Sequence, residues 1–304
     1  MAAGPSSHDA TDIPRDGWVA SLPRALRPYA RLARLDRPIG TWLLLFPCWW
    51  GLALARSGDL WLYALFGIGA VLMRGAGCTL NDIADRDLDR QVARTATRPL
   101  AARDITVPHA LAFMALLGGL SLAILLTMNR AAIALGVAAL ALVAIYPFMK
   151  RITWWPQFFL GLAFNWGALM GDAAATGTLA WPAALLYLGG IAWTLGYDTI
   201  YAHQDKEDDA RIGIKSSARL LGDASKPWLA GFYMTSIILW AIAGAAAGFG
   251  WIFGLALALA AGHFAWQVRT LALDRPERCL AVFRANTWVG WLVLGGLIVD
   301  RLAA

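Results

Sequence analysis

Uncharged apolar stretches recur along the whole chain, each close to the length needed to cross a bilayer, and they constrain the fold more than any other feature. A membrane-crossing helix needs about 20 apolar residues. Free of Asp, Glu, Lys and Arg are 18 residues between Arg37 and Arg56, 25 between Asp104 and Arg130, 19 between Arg130 and Lys150, and 20 between Arg151 and Asp172. The 42-residue run from Pro227 to Val268 is broken at Gly248-Phe249-Gly250, which reads as a tight helical hairpin. Leu60 to Leu80 is interrupted only by Arg74, and Trp181 to about Ala202 carries Asp198 near its end. The last segment, about Phe283 to Leu302, has 15 uncharged residues between Arg284 and Asp300. The chain is expected to be an all-α integral membrane protein of nine transmembrane helices, with a polar segment at 1–37 and the membrane domain at 38–304.

Composition agrees: 59% of residues are hydrophobic, 15% are charged and the mean hydropathy is +0.55, which excludes a water-soluble globule. A net charge of +6 would suit nucleic acid if the cations formed one patch. They do not. Taking the N-terminus and then every second loop, six, five, two, five and four of the 26 Lys and Arg fall on one side. The other side receives one, one, none, none and one, and Arg74 lies within a span. By the positive-inside rule the N-terminus is cytoplasmic and the C-terminus outside, so the basic charge reports topology and no nucleic acid is expected. A multi-pass protein of the cell inner membrane follows, with its partner the lipid bilayer. Cys48, Cys78 and Cys279 lack the close spacing of a metal site and read as packing residues. No apolar core followed by a small-residue cleavage site marks a removable signal peptide.

The carboxylates are concentrated. Nine of twenty occupy two windows, NDIADRDLDRQVARTATRP at 81–99 and YDTIYAHQDKEDDARIGIK at 197–215, each following an apolar helix on the same side of the membrane. Asn81, Asp85 and Asp89 are spaced i, i+4, i+8 and form one stripe on a helix. Asp198, Asp205 and Asp209 share a face if their helix continues past the membrane boundary. Like charges so stacked repel by a few tenths of a kcal/mol per pair, roughly, and call for a bound cation. Hard oxygen donors without neighbouring Cys or His favour Mg²⁺, which commonly shares its coordination with phosphate. The cations interleaved with them, Arg86, Arg90, Arg94, Arg98, Lys206, Arg211 and Lys215, suit a polyanion bridged by metal, such as a diphosphate. Arg74, seven residues before Asn81, lies on the same face, either as counter-ion to the aspartates or as ligand to a substrate anion. Asp172 reads as an interfacial residue, and Asn165, His263 and Gln267 as interhelical hydrogen-bonders.

NDIADRDLD and YDTIYAHQDKEDD resemble the two aspartate motifs of the UbiA superfamily of intramembrane prenyltransferases. The likeness extends through RLDRPIGTWLLLFPCWW at 34–50, RTATRPL at 94–100, YPFMKRITWWPQ at 146–157 and GIKSSARLLG at 213–222, and is nearest the ubiquinone-pathway branch. The resemblance implies nine helices around a central cavity capped by both motifs, with a lateral opening for a polyprenyl tail. It implies that Asn81, Asp85, Asp89, Asp198, Asp205 and Asp209 hold Mg²⁺ and, through it, the diphosphate of a polyprenyl diphosphate. Arg94, Arg98 and Lys150 would touch the diphosphate, Tyr146 would sit beside the leaving oxygen, and Arg37, Arg74 or Arg151 would hold the carboxylate of 4-hydroxybenzoate.

The expected reaction is transfer of the polyprenyl group to the ring carbon ortho to the hydroxyl of 4-hydroxybenzoate, in ubiquinone biosynthesis. Charge developing on the leaving diphosphate needs cations where it forms, and the allylic carbocation needs a dry, electron-rich pocket. A base must then remove the ring proton, and Asp198, set back toward the membrane, is the candidate. A UbiA-type enzyme with another aromatic or quinone-precursor acceptor is the alternative within the class. A cation-coupled transporter is the alternative outside it, disfavoured because transport sites lie near the bilayer midplane whereas these acids cluster at one surface.

Overall fold

The computed structural model describes residues 17–92 and 94–304, so residues 1–16 of the polar N-terminal segment lie outside it. Twelve α-helices and no strands occur among the described residues. A short α1 (Arg27–Leu32) precedes α2 (Ile39–Leu54), α3 (Leu60–Asp89), α4 (Val107–Leu125), α5 (Arg130–Ile152), α6 (Pro156–Thr176) and α7 (Trp181–Ala202). Two short helices, α8 (Lys206–Arg211) and α9 (Ser217–Leu221), lead into α10 (Ser225–Ala246), α11 (Trp251–Thr270) and α12 (Pro276–Ala303).

Among the described residues seven segments are long and apolar enough to cross a membrane: α3, α4, α5, α6, α9–α10, α11 and α12. Two of the nine expected spans fall outside that group for different reasons. Helix α2 has only 16 residues. Helix α7 is long enough, but its Tyr, Trp, Gly and Asp198 dilute its hydropathy, because it is the central helix and faces protein on most sides. The expected last span proves longer than its uncharged core, since α12 runs 28 residues and carries Arg284 on an exposed face.

Small residues let these helices approach where lipid supplies no hydrophobic drive between them. Helix α2 lies against α6 so closely that a Cβ on Gly51 would collide with the carbonyl oxygen of Ala168, and one on Gly171 with that of Cys48. Trp50, Trp193 and Trp240 fill the centre and satisfy their indole N–H groups on the Gly290 carbonyl (3.1 Å), the Asn286 side chain (2.8 Å) and the Leu186 carbonyl (3.2 Å). Asn165 and Gln267 pair across helices as their positions suggested, whereas His263 bonds Gln267 within its own helix α11. Asn165 donates to Thr194 at 2.8 Å, and Gln267 joins Tyr233 (2.8 Å), His263 (3.0 Å) and Asn286 (3.2 Å). Asp172 is more than interfacial: it is buried and accepts from the Ala180 N–H at 2.8 Å, fastening the α6–α7 turn. At the same end Asp300 of α12 accepts from the N–H groups of Gly250 (2.9 Å) and Phe253 (2.9 Å), capping α11. All three cysteines are free and buried.

The acidic ends of α3 and α7 converge at the opposite end of the bundle. Helix α3 carries Asn81, Asp85 and Asp89 without interruption, as their spacing requires. Helix α7 does not continue through its motif. It stops at Ala202, passes through a 3₁₀ turn at His203–Asp205 and restarts as α8, so Asp198, Asp205 and Asp209 do not share one helix. Tertiary partners explain the break: His203 hydrogen-bonds Ser225 Oγ at 2.9 Å, and Arg94 grips Asp205.

Candidate active site

Two adjoining cavities occupy the acidic end. The smaller, about 200 Å³, is walled by Asn81 and Asp89 of α3, Tyr146 and Lys150 of α5, Asp198 and Tyr201 of α7, Arg94 and Arg98 of the α3–α4 loop, and Asp205 and Asp209. The larger, about 660 Å³, runs into the apolar interior between α2, α3, α4, α5 and α6. Asn81, Arg98, Tyr146, Asp198 and Tyr201 line both, so a charged headgroup site continues into a long apolar chamber.

The aspartates are held by cations from distant parts of the chain. Lys150 and Arg151 (3.4 Å) both reach Asp85, whose side chain is fully buried and set behind the pocket wall. Arg98 bonds Asp89 at 2.9 Å. Arg94 makes a two-pronged contact with Asp205 and also donates to the Tyr201 hydroxyl at 3.3 Å, tying the first motif's loop to the second motif. Asp82 takes no place in the pocket wall; it is fully buried beneath it and accepts from Arg34 at 2.5 Å and Arg98 at 3.4 Å. Burial, with the charge of nearby Asp205, pushes the Asp209 carboxyl up to about 7.

Oxygen donors from Asn81, Asp89, Asp198, Asp205 and Asp209 facing one small pocket have the chemistry of a Mg²⁺ site. Among the described residues no three carboxylate, imidazole or thiol groups are gathered tightly enough to hold an ion unaided. The raised Asp209 and the cations drawn onto Asp85, Asp89 and Asp205 show the same excess of negative charge seeking compensation. The residues therefore fit a metal that arrives with an anionic substrate better than a resident one.

Of the three arginines considered for a carboxylate, the structure separates the roles. Arg151 is bound to the Ala84 carbonyl (2.7 Å) and Asp85 and lines neither cavity. Arg37 lies 3.6 Å from Asp36 at the edge of the larger cavity. Arg74 enters that cavity from α3, makes no ion pair with the motif aspartates, and stacks its guanidinium over the Phe164 ring at 5.3 Å. Arg34 and Tyr201 were not singled out by their sequence positions; each lies within a quoted motif, but its role depends on a partner 48 or 107 residues away.

Comparison with known proteins gives a consistent picture. The profile of the UbiA prenyltransferase family matches residues 44–290. The mitochondrial 4-hydroxybenzoate polyprenyltransferase of Bos taurus is 50% identical over 93% of this chain and 78% of its own length. The mitochondrial enzyme of that name in Arabidopsis thaliana is 47% identical over 96% and 74%. Among solved structures, the apo form of a UbiA homolog from Aeropyrum pernix K1 superposes with a TM-score of 0.75 at 28% identity, covering 86% of this chain and 97% of that one. A UbiA homolog from Archaeoglobus fulgidus, bound to GPP and Mg²⁺, shares the fold with a TM-score of 0.67 at 19% identity, covering 91% and 98%. The relatives' mitochondrial location overturns the expectation of a cell inner membrane with the site toward the cytoplasm. Charge asymmetry orders the loops into two sides but does not identify which membrane they straddle.

Proposed function

This chain belongs to the UbiA prenyltransferase family, and from that premise we propose how its residues divide the work of prenyl transfer. It is a multi-pass membrane prenyltransferase that moves a polyprenyl group from polyprenyl diphosphate to 4-hydroxybenzoate, a step of ubiquinone biosynthesis. The observation that carries this reading is the small acidic pocket, ringed by arginine and lysine, which continues into an apolar chamber more than large enough for isoprene units.

The diphosphate takes the small pocket and the isoprenoid chain the large one. Arg94, Arg98 and Lys150 turn from Asp205, Asp89 and Asp85 onto the phosphate oxygens. Asn81, Asp89, Asp205 and Asp209, with Asp85 once Lys150 and Arg151 release it, would hold Mg²⁺. Bound there, the metal neutralises charge on the departing diphosphate. Tyr146, which lines both cavities, stands beside the breaking C–O bond. The bond's electron pair leaves with diphosphate, and the aromatic faces of Tyr146, Tyr197, Tyr201 and Phe283 shelter the allylic cation from water. Arg74 holds the acceptor carboxylate within the chamber, the ring carbon ortho to the hydroxyl attacks, and Asp198, at the boundary of both cavities, takes the ring proton. All nine long helices cross the membrane, with both acidic ends on the N-terminal side and the C-terminus opposite.

The test is to incubate the purified chain in liposomes with Mg²⁺, geranyl diphosphate and 4-hydroxybenzoate and to identify the product by mass. A prenylated acid substituted on ring carbon is expected. Release of geraniol alone, or an O-prenyl ether, overturns the reading.

A further inference from the structure

We propose that Gly40 and Phe164 form a slot that fixes where the Arg74 guanidinium stands, making both of them positioning residues for recognition of the acceptor. The inference rests on the reading above that Arg74 binds the acceptor carboxylate. It concerns two residues to which that reading gives no part.

Arg74 arises from the middle of a membrane-spanning helix, where an arginine is costly and needs a defined environment. No carboxylate among the described residues lies within ion-pair distance of it, although the charge of Asp198 acts on it across the cavity. Its Nε is buried without a hydrogen-bond partner, while the rest of the side chain is partly open and lines the larger cavity. What surrounds the head is steric and aromatic. On one side the Phe164 ring lies 5.3 Å from Cζ, within cation–π range. On the other is Gly40 in the first turn of α2: a Cβ there would stand 2.5 Å from Nη2, 2.6 Å from Nε and 2.7 Å from Cζ. Gly40 is buried in helical conformation, so its lack of a side chain serves no unusual dihedral; it serves the passage of the guanidinium. The atoms that a methyl group would meet are the mobile end of Arg74, with no backbone atom among the three nearest. The helix therefore has no reason to separate from α3, and the head must shift within the chamber instead. A guanidinium confined between a ring face and a glycine presents its N–H edge in one plane, which is what a two-oxygen contact with a carboxylate needs.

The experiment measures kcat and KM for each substrate on the full chain in liposomes. Gly40→Ala is expected to raise KM for 4-hydroxybenzoate about tenfold, roughly the 1.4 kcal/mol equivalent of a misplaced charged contact, and to leave the donor KM within about twofold. Phe164→Leu, which keeps apolar volume but loses the ring face, should raise the acceptor KM about threefold, and Phe164→Tyr should restore it. In an Arg74→Met background Gly40→Ala should add no further loss, the coupling expected when one residue acts through the other. If Arg74→Met raises the acceptor KM but neither Gly40→Ala nor Phe164→Leu does, the slot is overturned and the arginine clamp stands. If Arg74→Met leaves it unchanged, the clamp falls and the slot with it. Donor and acceptor KM rising together in Gly40→Ala, or additive losses in the double variant, mean general damage to the chamber and also overturn the inference.

Discussion

At the level of single residues, aspartates three positions apart on one helix do different work because of what they face. Asp82 is sealed beneath the pocket, where Arg34 from the N-terminal segment and Arg98 from the next loop both reach it. Asp85 meets Lys150 and Arg151 at the end of α5, of which Lys150 also lines the small pocket. Removing one partner of a buried ion pair strands the other and costs about 3–5 kcal/mol. Asp82→Asn is therefore expected to lower the unfolding temperature in detergent and to leave a residual rate with a raised donor KM, since Arg98 keeps Asp89 but loses the second of its two carboxylate partners. Lys150 and Arg151, unlike Arg34, are partly exposed and can turn to water when their acid is lost, so Asp85→Asn, and likewise Asp205→Asn, should abolish turnover with little loss of folded protein. Full activity of either variant in excess Mg²⁺ would remove the metal role. The sequence displayed both acids of α3 but gave no sign of this difference, because the partners that distinguish them lie 48 and 65 residues away.

Among elements, the spans were legible and their ends were not. Each crossing needs a long apolar run, a signal strong enough to locate all nine long helices and, with Gly248 and Gly250, the turn between α10 and α11. The continuation of α7 was the clearest misreading. A periodic acid spacing is compatible with a helix, yet His203 bonded to Ser225 and Asp205 bonded to Arg94 pull the chain into a turn instead. Periodicity reports a possible face, and tertiary contacts decide whether the helix is built. How closely two elements approach was equally hidden, and it makes a testable claim about α2 and α6. Gly51→Val forces a branched side chain onto the Ala168 carbonyl and should destabilise the detergent-solubilised protein by about 1–3 kcal/mol or more. Gly254→Val, at an exposed position of α11 with open space beside it, should change the unfolding temperature little. Equal effects of the two would mean that the α2–α6 crossing is not tightly packed.

For the whole molecule, the arrangement of charge makes a prediction about sidedness that no single helix makes. Two of the nine long helices are marginal as spans, α2 for its length and α7 for its polarity; dropping α2 would part Arg34 from Asp82, and dropping α7 would place the acidic ends of α3 and α7 on opposite faces. That cannot be reconciled with Arg94 and Tyr201 joining the two ends, or with one pocket walled by both. Polar cost is offset in each case: α2 is shielded by α6 and α12, and α7 buries most of its length among α6, α10 and α12. The nine crossings proposed above are the arrangement that the shared pocket supports. Single cysteines introduced into a chain lacking Cys48, Cys78 and Cys279 test it in vesicles of uniform orientation. Asp104→Cys and Glu207→Cys, both exposed at the acidic end, should react with a membrane-impermeant maleimide from one side only. Thr178→Cys and Ala304→Cys, exposed at the other end, should react only from the opposite side. Labelling of positions 104 and 207 from different sides would separate the two acidic ends and dismantle the shared diphosphate site, whereas labelling of position 304 from the side of position 104 would remove one crossing from the C-terminal half.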